Sequence, residues 1–266
     1  MTRRSPLPFL ALLLAGCAVT GPVVTPPPPR VDRGAGMEEA RLLARTDPRE
    51  PYWPFHMAER YVAADSAAVA ETWLGEALAR DPDYAPALSL RSRLLYEQGR
   101  HQEAREMLEA ARSRTGAAFP GSLLAGLALH YEAMGEMDRV AALLPTLDAA
   151  SRAYLHLRRA DDRQALEASR LAVRQAPESA VNHNNLGLGL LLAGDVDGAK
   201  ASFEAAAELD PTLPGPYYNL AILERFYLVR DAEAAAWLAR YRALSQEDPD
   251  GLFEALPGSL AGGNGR

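Results

Sequence analysis

What most constrains this chain is a spacing: small residues return at the same places in a cycle of 34 residues. Counted from Pro51, positions 8, 20, 27 and 32 hold Ala58, Ala70, Ala77 and Pro82, and counted from Ala85 they hold Ser92, Ala104, Ala111 and Gly116. Counted from Ala180 they hold Gly187, Ala199, Ala206 and Pro211, with Leu186 at position 7 and Phe203 at position 24. Ala or Gly at such positions lets two helices and their neighbours approach backbone to backbone, while larger side chains at 4, 7, 11 and 24 fill the seams. Proline then stops the second helix. Asp47-Pro48, Asp81-Pro82, Asp210-Pro211 and Asp248-Pro249 repeat that stop, and Gly99, Gly135 and Gly194 mark the turns inside the pairs. With 48% apolar residues and only 7% aromatics, the composition suits an alanine-rich, all-helical core.

The pattern resembles the tetratricopeptide repeat, most closely from Ala180 onward. The resemblance implies an all-α fold, a right-handed α-solenoid of about six tetratricopeptide helix pairs over residues 51–250, with a leading helix in 37–50 at Met37 to Thr46. The unit near Gly121 keeps Ala128, Tyr131 and Gly135 but carries Val140 and Leu147 at the later small positions. It also runs short, because Ala153, Ala165, Ala172 and Pro177 fix the start of the next unit near Thr146. The first helix of that next unit is therefore brief, roughly Ala149 to Arg159, and the array is expected to loosen there. The last unit opens with Tyr217, Leu220 and Ala221 and carries about four extra residues before Pro249.

The N-terminus reads as an address. Arg3 and Arg4 precede an apolar run from Phe9 to Ala15, too short to cross a hydrocarbon core of ~30 Å. Leu14-Ala15-Gly16-Cys17 resembles a bacterial lipobox, which implies removal of the signal peptide 1–16 and a diacylglyceryl group, palmitate included, on Cys17. The only cysteine in the chain stands where lipidation needs one. Ala18, in place of Asp, implies by resemblance to lipoprotein sorting the periplasmic face of the outer membrane. Residues 17–36, with Pro22, Pro26 to Pro29, Gly34 and Gly36, read as an extended tether, and 251–266 as a flexible tail, Gly-rich from Gly258.

Catalytic and ligand chemistry is mostly absent. A net charge of -7 argues against nucleic-acid binding, and one thiol closes neither an intrachain disulfide nor a cysteine zinc site. His56, His101, His130, His156 and His183 fall in different units, none with a second histidine three or four residues away, so no metal site is expected. His183, at position 4, reads as a packing or rim residue. Lys200, the single lysine among 28 basic residues, falls on an outward face at position 21 with no serine three residues before it. Gly187-Leu188-Gly189 has Leu192 where a dinucleotide loop needs its third glycine, and Asp195-Val196-Asp197-Gly198 lacks the other ligands of a calcium loop. Neither an enzyme nor a cofactor is expected.

Surface recognition remains. The family resemblance places a concave groove along first-helix positions 2, 5, 9, 12 and 13. In this chain they bring Phe55, Glu59 and Val62, then Ser89, Arg93 and Tyr96, later Asn184, Leu188, Leu191 and Leu192, and finally Tyr218, Ile222, Arg225 and Phe226. The partner-binding assignment falls first on Asn184, Leu188, Leu191, Tyr218, Ile222 and Arg225, and next on Phe55, Arg93 and Tyr96. The leucines around 186–192 must be covered on more than one side, by neighbouring repeats or by a bound apolar segment. In size, anchor and repeat number the chain is similar to the pilotin lipoproteins that help a type IV pilus secretin assemble, which implies protein partners of the cell envelope. A cell-wall or glycan-binding module is the alternative; it would use paired exposed aromatics, for which Trp53 with Phe55 and Trp237 with Tyr241 are the candidates.

Overall fold

The computed structural model describes residues 36–245; the signal segment, Cys17, nearly all of the tether and the tail lie outside the described residues. The described chain divides into two compact units, with the boundary between Leu147 and Asp148. The first holds a lone helix α1 (Met37–Thr46) and the pairs α2 (Tyr52–Ala63) with α3 (Ala67–Arg80), α4 (Ala85–Glu97) with α5 (His101–Thr115), and α6 (Gly121–Ala133) with α7 (Met137–Leu143). The second holds α8 (Ala149–Arg158) with α9 (Asp162–Gln175), α10 (Ala180–Leu192) with α11 (Val196–Leu209), and α12 (Pro214–Ile222) with α13 (Asp231–Leu244). No strand interrupts the described residues. The described residues are thus all-helical, six helix pairs behind one leading helix.

The small residues sit where the spacing put them. Ala58, Ala70, Ala77, Ala104, Ala111, Ala128, Ala153, Ala165, Ala199 and Ala206 are fully buried, and Val140 on α7 and Leu147 just after it are buried at the corresponding places. Close approach is tightest at α10. A β-carbon on Gly187 would overlap the Phe203 ring, lying 2.5 Å from Cδ1 and nearer still to Cε1, and one on Gly189 would lie 3.2 Å from the Leu166 backbone. Those glycines are helix-packing residues.

Each pair turns through one residue with positive φ. Glycine occupies it at Gly99, Gly135 and Gly194, but Asp65, Ala160 and Val229 occupy it in the other three pairs, Val229 at φ 56°. Five turns close with an amide donating to the carbonyl five residues back, such as Arg100 to Leu95 at 2.8 Å and Asp195 to Leu190 at 2.9 Å. In the last pair Arg230 reaches back six residues, to Glu224 at 2.8 Å, because a π-helical turn at Leu223–Tyr227 inserts one residue. Ala234 and Tyr241 consequently take the buried places one residue late. One of the extra residues of this unit is therefore housed here.

Two of the four Asp-Pro stops close their turns as read; Asp248-Pro249 lies outside the described residues. Asp81 Oδ1 accepts from the amide of Asp83 at 2.9 Å, and Asp210 Oδ1 accepts from the Thr212 amide at 2.9 Å and its hydroxyl at 2.7 Å. The carboxylate so closes the turn that follows its helix. Arg80 adds a clasp, donating to the carbonyls of Ala44 at 2.8 Å, Glu50 at 2.9 Å and Asp47 at 3.1 Å, and so satisfies the C-terminal end of α1. Arg114, one cycle later, holds Pro82 O at 3.1 Å and Asp83 at 2.9 Å in the same way.

Candidate interaction site

In the second unit the helices carry the expected residues, but not as an open wall. Leu188, Leu191, Tyr218 and Ile222 are 1%, 5%, 5% and 2% exposed, and Asn184 is 1% exposed. Side chains so deeply covered offer a partner almost no area, which corrects the expectation of an accessible apolar wall here. Tyr218 stacks obliquely on Tyr241 with ring centres 4.8 Å apart. Asn184 Oδ1 accepts from Asn219 Nδ2 at 2.8 Å, and Asn182 Nδ2 donates to Ala172 O at 3.1 Å, so these amides join α10 to α12 and to α9. Arg225 is half-buried, with a guanidinium nitrogen 2.7 Å from Asp231, and Phe226 is exposed.

In the first unit Phe55 is likewise buried, edge to face with Tyr84 at 5.7 Å between ring centres. Arg93 and Tyr96 differ. Arg93 is exposed on α4, held only loosely by Glu97 at 3.8 Å, and the half-buried Tyr96 lies on the same helix one turn further on. Glu59 is exposed on α2.

The aromatic pairs considered for a glycan fare less well. Trp53, Phe55 and Tyr241 are buried, and Trp237 packs against Tyr217 at 6.2 Å and under the Arg240 guanidinium at 4.8 Å. A sugar face needs such rings exposed in pairs, so these do not supply one.

Two polar constellations escape a reading along the chain. Lys200 does not point outward: its ammonium lies 2.5 Å from Glu224, a carboxylate with no exposed area, with Glu204 at 3.9 Å. Arg230 approaches the other Glu224 oxygen at 3.9 Å. The chain's one lysine thus pairs with a buried charge inside the π-helical turn, where a lone carboxylate would be costly. The second constellation joins three helices of the first unit. Ser92 Oγ of α4 lies 3.0 Å from His130 Nε2 of α6, and His130 Nδ1 lies 3.2 Å from His101 Nδ1 at the start of α5. The Tyr96 ring packs against both imidazoles, 5.1 Å and 5.6 Å between centres. Burial, with His101 beside it, lowers the His130 pKa to about 4. His183, by contrast, is a rim residue whose Nε2 meets the Pro177 carbonyl at 2.8 Å.

Residues 61–118 match the tetratricopeptide repeat family. That stretch runs from the end of α2 through the α4–α5 pair. Similar helical architecture recurs among solved structures. Yeast Tom70 shares 14% identity over 83% of this chain and 49% of its own, with a TM-score of 0.65. The Cut9–Hcn1 hetero-tetramer of APC/C shares 14% identity over 83% of this chain and 45% of that one, with a TM-score of 0.61. This chain therefore spans about half the length of each, and the likeness is one of fold. A thermophilic tetratricopeptide protein of Thermus thermophilus shares 23% identity over 78% of this chain and 98% of its own, with a TM-score of 0.49. No curated protein matches the chain.

Proposed function

We propose that this protein is a lipid-anchored tetratricopeptide scaffold that holds a protein partner in a bacterial envelope assembly. Stacked helix pairs present an extended face whose contacts are set by first-helix side chains, which is how repeat arrays bind. The observation that carries the reading is the exposure of Arg93 beside Tyr96 on α4. Arg and Tyr are the side chains that most often anchor interfaces, and the apolar residues first assigned to the role are committed to the protein's own packing. The partner accordingly engages the first unit, with Glu59 and Arg93 at its polar rim.

The anchor rests on Leu14-Ala15-Gly16-Cys17 and on Cys17 being the only cysteine. Two or more acyl chains hold a protein stably at a membrane where one does so only marginally. The Pro-rich stretch then spaces the repeats from the lipid, and Ala18 favours the outer membrane. Among the described residues no helix is long and apolar enough to cross a membrane. The pilotins of type IV pilus secretins are the similar architecture from which the envelope role is drawn.

Two measurements test this. Cys17→Ser should move the protein from the detergent phase to the aqueous phase of an envelope extract; unchanged partitioning defeats the anchor. Arg93→Glu, an exposed change that leaves folding within about 0.5 kcal/mol, should weaken partner capture roughly tenfold or more, a loss of at least about 1.4 kcal/mol. Capture at wild-type strength would move the site off α4.

A further inference from the structure

Stacking of successive pairs brings together two histidines that are 29 residues apart and belong to different helices. His101 is the first residue of α5, half-buried with one side toward solvent, and His130 lies in the last turn of α6 with 1% exposure. Their Nδ1 atoms face each other at 3.2 Å. With both rings neutral, one Nδ1 carries a proton and the other accepts it. Two imidazole nitrogens bound to one cation at about 2.0–2.1 Å stand about 2.9 Å apart at a right angle and about 3.3 Å apart at a tetrahedral one, so the observed separation fits a chelating pair as well as a hydrogen bond. His130 is further prepared for this role. Its Nε2 lies 3.0 Å from Ser92 Oγ, which can accept the Nε2 proton and so leave the Nδ1 lone pair pointing at His101. A second hydrogen bond of this kind commonly orients a metal-ligating histidine.

We propose that His101 and His130 bind an imidazole-preferring divalent cation, of the class of Cu²⁺, Ni²⁺ and Zn²⁺. Both rings bind through Nδ1, and the proton of the donating ring moves to its own Nε2, so the site stays neutral apart from the cation. Among the described residues no group of three or more His, Cys, Asp or Glu is arranged to hold a metal, so water completes the coordination shell on the solvent side of His101. Two protein ligands make a labile site. The cation would cross-link α5 to α6, two helices of consecutive pairs, beneath the Tyr96 ring. Burial of His130 supports the reading, since it keeps the imidazole unprotonated well below neutral pH.

The test is calorimetric titration of the full chain, without a polyhistidine tag, using Cu²⁺, Ni²⁺ and Zn²⁺ salts alone. One equivalent should bind, with Cu²⁺ tightest by the usual order of divalent affinities. His101→Gln removes a ligand yet keeps an amide to meet His130 Nδ1, and it should weaken binding at least tenfold. Ser92→Ala, which frees Nε2, should weaken it about tenfold or more, and His183→Gln should leave it unchanged. Cu²⁺ at low ratio should broaden the His101 and His130 ring resonances of the wild type first, a readout that needs no variant to fold. Absence of binding, wild-type affinity in His101→Gln, or first broadening at another histidine would overturn the proposal.

Discussion

Two glycines inside helices make opposite predictions from the same substitution. Gly75, within α3, has nothing within 4 Å of the place a β-carbon would occupy, whereas on Gly187, within α10, it would lie 2.5 Å from Phe203 Cδ1 and 2.9 Å from Cζ. Replacing glycine by alanine in a helix interior gains about 1 kcal/mol from propensity alone. Gly75→Ala should show that gain. Gly187→Ala must also displace a fully buried ring, and overpacking of this kind costs about 1–3 kcal/mol, so the gain should be cancelled or turned into a net loss of up to about 2 kcal/mol. Because Phe203 is the obstacle, Phe203→Leu should remove it. On that background Gly187→Ala should turn neutral or stabilising by up to about 1 kcal/mol, a coupling of about 1–3 kcal/mol between the two sites. Urea melts followed by helical circular dichroism measure the wild type and all four variants. Equal stabilisation by Gly75→Ala and Gly187→Ala, or additive effects in the double variant, would refute the close approach of α10 and α11.

Two further outcomes follow from the turns and from the buried histidine. Val229 is β-branched at φ 56°, where Gly99, Gly135 and Gly194 stand in sister turns, so Val229→Gly should raise stability by about 1 kcal/mol; a lower Tm would contradict the turn geometry. The folded His130 pKa of about 4 lies below the ordinary 6.5, so between these values the unfolded chain binds more protons, and stability present above pH 6.5 is lost as the pH falls toward 4. The loss should reach at most about 3 kcal/mol and should flatten in His130→Gln; a profile equally steep in that variant would place the titration elsewhere.

The alanines were legible because a 34-residue cycle places the same packing contact at the same count in every unit, and close helix approach admits only small residues there. The Asp-Pro stops were legible for a similar reason, since both residues act within their own turn. The covering of Leu188 and Leu191 was half legible. A helix apolar on several sides must be covered, but hydrophobicity does not say whether the chain itself or a partner covers it. The Ser92–His130–His101 cluster was not legible. Separations of 38 and 29 residues match neither the cycle nor a helical turn, so the residues look unrelated until the pairs are stacked. Lys200 was misplaced for a related reason: its partner Glu224 lies 24 residues on, within a π-helical turn that no turn residue announces.

The central claim is that a protein partner docks on α4 of the first unit, and site-specific photo-crosslinking tests it most directly. A benzophenone amino acid placed at Arg93, in full-length protein in its native envelope, should yield one discrete adduct with another protein on illumination. The same probe at Arg163, on α9 with its side chain 88% exposed, should yield none. An adduct from position 163 and not from 93, or the same adducts from both, would contradict the account.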